Sequence, residues 1–317
     1  MATVKAEDVF EPHLLAKYDP EVVTYVLKGV AEGATEHHMV PIEEVRANPA
    51  SFTAPWLLDT TGWERTAEKV VTSEDGADIP VRVYYPDPKQ WGEGPYGVHL
   101  NFHGGGFVFG GLTSESTLCL SMRDGAGIVA RASASELNVK PDSITIGGIS
   151  AGGQITIVLQ HMARDAGIPL KLSMPAVPAT GDWLNYEYYT DSPHPSFHEF
   201  YRGPVLPWAR IKFFKDLCVP KGREDEIAAL WPEWWIAPLK AKNWKGLCDS
   251  FIRTAEVDCL RDEGEEYGAK LVAGGNKVTI KRYIGSPHMF VFYSWLAQKQ
   301  EFDRDSIDAL RQVHGTR

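Results

Sequence analysis

One pentapeptide, Gly148-Ile149-Ser150-Ala151-Gly152, constrains the fold of this chain more than any other segment. It ends the β-branched run SITIGGIS and opens AGGQITIVLQHMARDAG, whose apolar spacing and glycine stop predict a helix. A serine at a sharp strand-to-helix turn needs small neighbours, because the backbone is strained and the strand and helix crowd it. A glycine-rich turn that only carries a serine is the alternative. The strand before and the helix after favour the sharp turn.

Apolar runs alternate with helical patterns along the rest of the chain. Strands are predicted for YGVHLNFH, SITIGGIS, LKLSMPAV, SFIRTAEVD and KVTIKRYIG, and helices for AGGQITIVLQHMARDAG, RDEGEEYGAKLVAGG and FVFYSWLAQKQ. Two earlier runs, AEKVVTSEDG and ADIPVRVYYP, predict an antiparallel hairpin. Alternation of this kind predicts an α/β fold with a mostly parallel central sheet and helices on both faces.

Charge and cysteine usage exclude several classes of function. The 317 residues carry a formal net charge of −10 and no run of Lys and Arg, which argues against a nucleic-acid surface. The start has no apolar signal-peptide region, and no stretch approaches the ~20 apolar residues of a membrane span. The four cysteines are scattered without a Cys-x-x-Cys pair, so we expect a reduced, cytoplasmic protein without a disulfide framework or zinc site.

An acid and a base follow the serine in the chain, as a nucleophilic serine requires. Asp258 lies where a predicted strand ends, and His288 lies just after the last predicted strand. Both therefore belong to the edge where an open α/β sheet gathers its site. Asp262 is a rival acid, but it falls in the following helix, where we expect a surface or capping role. Glu256 lies within the strand and is less well placed, and a surface loop histidine is the alternative for His288.

Three consecutive glycines, Gly104 to Gly106, follow His103 at the end of another predicted strand. Glycine loses the most backbone freedom on folding, so three in a row indicate a close approach to the backbone. Attack on an ester carbonyl builds an oxyanion, which preorganised N–H groups stabilise. The amide after the serine, that of Ala151, is one such donor, and the glycine loop can supply others.

Four segments together, HGGGFVFGG, GISAGGQ, DCLRDEGEEYGAKL and GSPHMF, resemble the hormone-sensitive-lipase group of α/β-hydrolases, the carboxylesterases with an HGGG motif. The resemblance implies that Ser150 is the nucleophile, His288 the general base and Asp258 its orienting acid. The oxyanion amides it implies are those of Gly105, Gly106 and Ala151, with Gly104 a weaker candidate. His103 would shape the loop rather than take protons.

The same resemblance implies one α/β-hydrolase domain over residues 1–317, with a helical cap from about 1–63 and 180–245. The second cap segment is rich in aromatic residues and is predicted to be a functional loop or lid, with packed surface helices as the alternative. Phe107, Phe109 and Trp183 are predicted to line the substrate pocket. Similar proteins are often dimers, so a homodimer is compatible with the resemblance.

The predicted function is a serine carboxylester hydrolase that acts on a small or medium ester through an acyl-enzyme. This reaction requires no cofactor, and the charge argues against a nucleic-acid partner. No metal is expected, because His37-His38 and His194/His198 lack the ligands that would complete a metal site. A non-catalytic small-molecule-binding protein on the same scaffold is one alternative. A lactonase or dehydratase that uses the same pocket is another.

Two features depart from the family pattern. Ile149 precedes the serine where the group usually has Asp, and Ser150 follows Gly111 by only 39 residues. One βαβ crossover takes roughly 30 residues, so the two that the family has do not fit. We therefore predict an internal deletion near residues 130–131, with an omitted segment, a truncated product and a rearranged member as the three explanations. A missing central strand would break the sheet beside Ser150.

Overall fold

The computed structural model describes residues 4–48, 62–130 and 138–316. The strands are β1 (Thr66–Thr72), β2 (Asp78–Tyr84), β3 (Tyr96–Phe102), β4 (Val129–Ala130), β5 (Val139–Ile149), β6 (Leu172–Ala176), β7 (Asp249–Val257) and β8 (Val278–Pro287). Within the described ranges these eight strands form one sheet in the order β1-β2-β4-β3-β5-β6-β7-β8.

The strand directions confirm the predicted fold class. The hairpin forms as expected, with β1 antiparallel to β2 from Thr66 opposite Tyr84 to Thr72 opposite Asp78. β4 is antiparallel to β2, and every later neighbour in the sheet is parallel. The carboxyl ends of the parallel strands therefore meet at one edge, where open α/β sheets bind their ligands.

Helices cover both faces of the sheet. The described helices as a whole are α1 (Pro20–Ala31), α2 (Ile42–Ala47), α3 (Pro88–Trp91), α4 (Ser116–Ala126), α5 (Ala151–Asp165), α6 (Pro195–Glu199), α7 (Trp208–Cys218), α8 (Glu224–Leu230), α9 (Glu233–Ile236), α10 (Arg261–Ala273) and α11 (Ala297–His314). Short 3₁₀ turns lie at Ala6–Asp8, Leu15–Lys17, His37–Met39, Tyr189–Asp191, Pro238–Lys240 and Phe290–Phe292.

Two successive residues of β7 show which helices pack on each face of the sheet. Ile252 packs in a buried cluster with Ile157 of α5 and Tyr267 of α10. Its neighbour Arg253 points to the other face, where it donates to Ser306 Oγ of α11 at 2.7 Å. Adjacent strand residues face opposite sides, so α5 and α10 lie on one face and α11 on the other. None of the described helices has both the length and the apolar character that crossing a membrane requires.

The predicted helix in FVFYSWLAQKQ is wrong in its first half. Phe290–Phe292 forms a 3₁₀ turn, and α11 begins only at Ala297. Phe290 is fully buried against Tyr283 and Phe302, with ring centroids 5.0 and 5.7 Å away. Core packing of these aromatic rings thus overrides the local helical pattern.

The described strands form a continuous sheet beside the serine, so the break that a missing central strand would cause does not occur in the described part of the chain. Val129 lies opposite Val98 of β3, and Ala130 lies opposite Tyr84 of β2. Val139 of β5 pairs with Tyr96 on the other side of β3. The deletion near 130–131 stays a prediction, because residues 131–137 lie outside the described ranges.

The segment before β1 packs against the insertion between β6 and β7. Tyr18 meets Phe200 edge-on with ring centroids 6.5 Å apart. Glu36 forms an ion pair with Arg210 of α7 at 3.1 Å. Described parts of the two predicted cap segments are therefore in contact, while residues 1–3 and 49–61 of the first lie outside the described ranges.

Candidate active site

The turn at Ser150 explains the spacing of the pentapeptide. Ser150 caps α5 with φ +58° and ψ −117°, a conformation that few side chains adopt. A Cβ on Gly148 would lie 2.4 Å from the Gly152 carbonyl oxygen, and one on Gly152 would lie 1.9 Å from the Phe102 oxygen. Only glycine fits at both positions, because backbone atoms on either side cannot move away.

Three predicted residues from distant parts of the chain are hydrogen-bonded in a row. His288 Nε2 lies 2.9 Å from Ser150 Oγ, and His288 Nδ1 lies 2.8 Å from Asp258 Oδ2. Asp258 directly follows β7, and His288 directly follows β8. A carboxylate only accepts, so Nδ1 carries the proton and Nε2 is free to accept from the serine hydroxyl. This is the arrangement that a serine needs to become a nucleophile.

The rival acids have other partners. Asp262 Oδ2 accepts from the Ser196 amide at 2.7 Å, and Asp262 Oδ1 accepts from Arg261 Nε at 2.7 Å. Glu256 Oε2 accepts from the Gly285 amide at 2.7 Å. Asp258 is the acid that contacts His288, and it is almost completely buried.

The glycine loop leaves two backbone amides unbonded. Gly105 and Gly106 have φ of +124° and +61°, and a Cβ on Gly105 would lie 2.2 Å from the Phe109 oxygen. Among the hydrogen bonds of the described residues, none is donated by the amide of either glycine. The amide of Ala151 lies in the first turn of α5, where N–H groups have no intrahelical acceptor. Free amides at such positions can bind a developing oxyanion.

Gly104, the weaker oxyanion candidate, is already bonded. Its amide donates to Glu115 Oε1 at 2.7 Å, and Asn101 Nδ2 donates to Glu115 Oε2 at 2.6 Å. The sequence analysis does not identify Glu115, because a glutamate between two serines is typical of a polar surface loop. His103 bonds the Gly104 oxygen through Nδ1 at 2.8 Å, a contact within the loop.

Gly105→Ala is expected to lower kcat for ester hydrolysis by about 100-fold. The added Cβ would collide with the Phe109 backbone and displace the Gly105 amide, and loss of one oxyanion donor costs a factor of that order. Gly111→Ala in the same loop is the matched control, since nothing lies within 4 Å of its Cβ position. Steady-state kinetics on both variants would reveal the difference. Equal rates in the two variants would contradict a role for the Gly105 amide.

The predicted pocket residues lie around the glycine loop. A cavity of about 310 Å³ is lined by Phe107, Phe109, Ala151 and Ile155, together with His103, Gly104, Val108 and Gly110. Trp183 is buried and is not among these lining residues, but its ring stacks on that of Phe107, with ring planes nearly parallel at 4° and centroids 6.3 Å apart. Gly104 and Ala151 line the cavity and also lie next to Ser150. The carbonyl group of an ester bound in the cavity can therefore lie close to the serine.

Two of the histidines considered as metal ligands, His194 and His198, bind protein groups. His194 Nε2 lies 2.9 Å from Glu266 Oε2, and His198 Nε2 lies 2.6 Å from the Ser192 oxygen. The described residues contain no group of three or more His, Cys, Asp or Glu side chains that could hold a metal ion. The His37 side chain lies outside what the structure describes.

Comparison with known sequences agrees with the fold. The profile of the α/β hydrolase fold family matches residues 126–292, more than half of the chain. The chain belongs to this family. Carboxylesterase NlhH of Mycobacterium tuberculosis is 30% identical over 258 residues, which cover 73% of this chain and 76% of that protein. An arylesterase of Saccharolobus solfataricus is 25% identical over 301 residues, covering 86% and 92%.

Solved α/β hydrolase structures have the same fold. A bacterial heroin esterase superimposes with a TM-score of 0.78 at 21% identity, covering 94% of this chain and 98% of that one. Identity this low supports similarity of fold alone. The family relationship therefore rests on the sequence comparisons above.

Proposed function

We propose that this protein is a serine carboxylester hydrolase that acts on small or medium esters through an acyl-enzyme. The observation that carries the proposal is the hydrogen-bonded row Ser150, His288 and Asp258, with distances of 2.9 and 2.8 Å. The row lies beside a loop whose Gly105 and Gly106 amides donate to no other acceptor among the described residues. Related proteins named carboxylesterase and arylesterase support the same reaction class.

Acylation begins with proton transfer from Ser150 Oγ to His288 Nε2 as Oγ attacks the ester carbonyl carbon. The carbonyl oxygen gains the negative charge and accepts from the amides of Gly105, Gly106 and Ala151. Asp258 stabilises the imidazolium through Nδ1–H without taking the proton. The tetrahedral intermediate then collapses, its bond to the alcohol oxygen breaks, and Nε2–H protonates the departing alcohol.

Deacylation repeats these steps with water in place of the serine. His288 Nε2 takes a proton from water as the water oxygen attacks the acyl carbon. The same amides hold the second oxyanion. When the bond to Ser150 breaks, Nε2–H returns the proton to Oγ and the acid leaves. The net reaction consumes one ester and one water and releases one acid and one alcohol.

The substrate class follows from the cavity beside the serine. Its volume of about 310 Å³ and its lining by Phe107 and Phe109 suit a small or medium apolar group. We assign the segments before β1 and between β6 and β7 to one cap over this cavity. The homodimer and the cytoplasmic location stay predictions from the sequence.

Hydrolysis of p-nitrophenyl esters of increasing acyl length tests the proposal. We expect turnover that is fastest with short or medium acyl groups and that a serine-directed organophosphate abolishes. Ester binding without turnover would instead support a non-catalytic binding protein. Turnover that the organophosphate leaves intact would contradict the acyl-enzyme mechanism.

A further inference from the structure

One buried carboxylate outside the catalytic row bonds directly to the glycine loop. Glu115, the residue before α4, is 4% exposed. Its Oε1 accepts from the Gly104 amide at 2.7 Å, and its Oε2 accepts from Asn101 Nδ2 at 2.6 Å. Asn101 belongs to β3, whereas Gly104 begins the loop. The carboxylate therefore fastens the start of the glycine loop to the end of a central strand.

The hydrogen bond from the Gly104 amide to Glu115 lies where the glycine loop packs against the turn at Ser150. A Cβ on Gly104 would lie only 3.0 Å from the Ile149 oxygen and 3.5 Å from Ser150 Cβ, so Gly104 packs against the serine turn. Gly105 and Gly106 follow directly, and glycines have the greatest backbone freedom of all residues. A bond that holds the Gly104 amide thus limits how the next two amides can turn relative to Ser150.

We propose that Glu115 is a positioning residue for hydrolysis, because its carboxylate holds the Gly104 amide and so orients the Gly105 and Gly106 amides toward the oxyanion. This inference rests on the proposed function. It adds a residue that touches neither substrate nor the reacting atoms.

The charge state of Glu115 decides how well it can hold both donors. As a carboxylate it accepts at both oxygens, and charge-assisted hydrogen bonds are about twice as strong as neutral ones. When protonated, one oxygen becomes a donor, and the Asn101 amide must turn to present its oxygen. A glutamine at this position has the same pattern of one acceptor and one donor, so Glu115→Gln imitates the protonated form.

Two of the groups around Glu115, Arg253 and Cys119, have a fixed charge state near neutral pH. Arg253 of β7 interacts with it electrostatically, and burial lowers the pKa of Arg253 only to about 10, so it stays cationic. Cys119 of α4 stays neutral, because burial raises the pKa of its thiol. Arg82 of β2 reaches the neighbouring Ser116 and Glu68, and His103 bonds the Gly104 oxygen. Burial raises the pKa of Glu115 itself to about 7.

The pH dependence has a definite sign. Above about pH 7 Glu115 is ionised and holds both donors, whereas below about pH 7 it is protonated and resembles glutamine. The ratio of wild-type kcat to Glu115→Gln kcat should therefore be largest at high pH and fall toward one at low pH. If Glu115 contributed only to stability, Glu115→Gln would lower kcat by the same factor at every pH.

The experiment measures kcat and KM for a short p-nitrophenyl ester from about pH 6 to about pH 9. We expect Glu115→Gln to lower kcat by about 10-fold at the alkaline end, by little at the acidic end, and to leave KM within about twofold. Glu115→Asp keeps the charge but is one methylene shorter, so its kcat at the alkaline end should lie between those of wild type and Glu115→Gln.

Gln160→Leu is the matched control. Gln160 is buried and anchors Cys248 and Ser250 at 3.0 and 2.8 Å, on α5 away from the glycine loop. We expect this variant to melt at a lower temperature with its kcat ratio to wild type constant across pH. A pH-dependent deficit found in Glu115→Gln and absent from Gln160→Leu thus reports positioning rather than lost stability.

Two results would overturn the inference. One is a ratio of wild-type to Glu115→Gln kcat that stays constant across pH, and the other is equal rates at the alkaline end. If Glu115→Gln does not fold, the test is made on Glu115→Asp. A kcat equal to that of wild type at the alkaline end in Glu115→Asp would also overturn the inference. Wild-type protein without turnover at any pH would reject the proposed function first, and this inference with it.

Discussion

Ser150→Ala is expected to lower kcat for ester hydrolysis by about four orders of magnitude or more. The variant has no oxygen to attack the carbonyl carbon, and what remains is catalysis by the oxyanion amides and by binding alone. KM should change little, because the pocket around Phe107 and Phe109 stays in place. Initial rates at saturating ester, with the uncatalysed reaction subtracted, measure the effect.

Ser173→Ala is the matched control for this experiment. Ser173 lies in β6 of the same sheet, is fully buried, and its hydroxyl has no hydrogen-bond partner among the described residues. Removal of an unpaired buried hydroxyl is neutral or stabilising, so wild-type rates are expected. A Ser150→Ala protein whose kcat stays within about tenfold of the Ser173→Ala protein would contradict the assignment of the nucleophile.

Asp258→Asn is expected to lower kcat by about 10³- to 10⁴-fold with the fold intact. Asparagine can turn its NH₂ or its oxygen toward His288 Nδ1. With the NH₂ facing Nδ1, the proton moves to Nε2, which can then no longer accept from Ser150 Oγ. The wrong tautomer in a serine protease triad costs a factor of this size. Kinetics at saturating ester, with a thermal melt to check folding, measure the loss.

Asp262→Asn provides the comparison for that loss. Asp262 is four residues further on and bonds Ser196 and Arg261 instead of His288. We expect it to keep kcat within about threefold of wild type, since it weakens a capping contact of about 1 kcal/mol and the ion pair with Arg261 but no contact of His288. Similar losses in the two variants would show that the carboxylate acts through stability rather than through the histidine.

Much of the fold follows from local patterns in the sequence. Buried parallel strands read as short apolar runs, and the helices between them have clear glycine stops. Asp258 and His288 are recognisable as acid and base candidates because both follow strands whose carboxyl ends share one edge. The structure has both within hydrogen-bond distance in one row with Ser150.

The features that sequence reasoning missed depend on contacts between distant residues. Glu115 matters because of Asn101 and Gly104, which lie on other elements, and no periodicity marks it. The start of α11 depends on the packing of Phe290 against Phe302. The continuity of the sheet depends on the pairing of Val129 with Val98 and of Ala130 with Tyr84, which no local pattern indicates.

Mapping the site of organophosphate attachment tests the central claim most directly. Peptide mass spectrometry after inactivation should find one phosphoryl group per chain on Ser150, and the modified fraction should equal the lost fraction of hydrolysis. Ser150→Ala protein should carry no label under the same conditions. Full inactivation with Ser150 unmodified, or full turnover with Ser150 modified, would contradict the account.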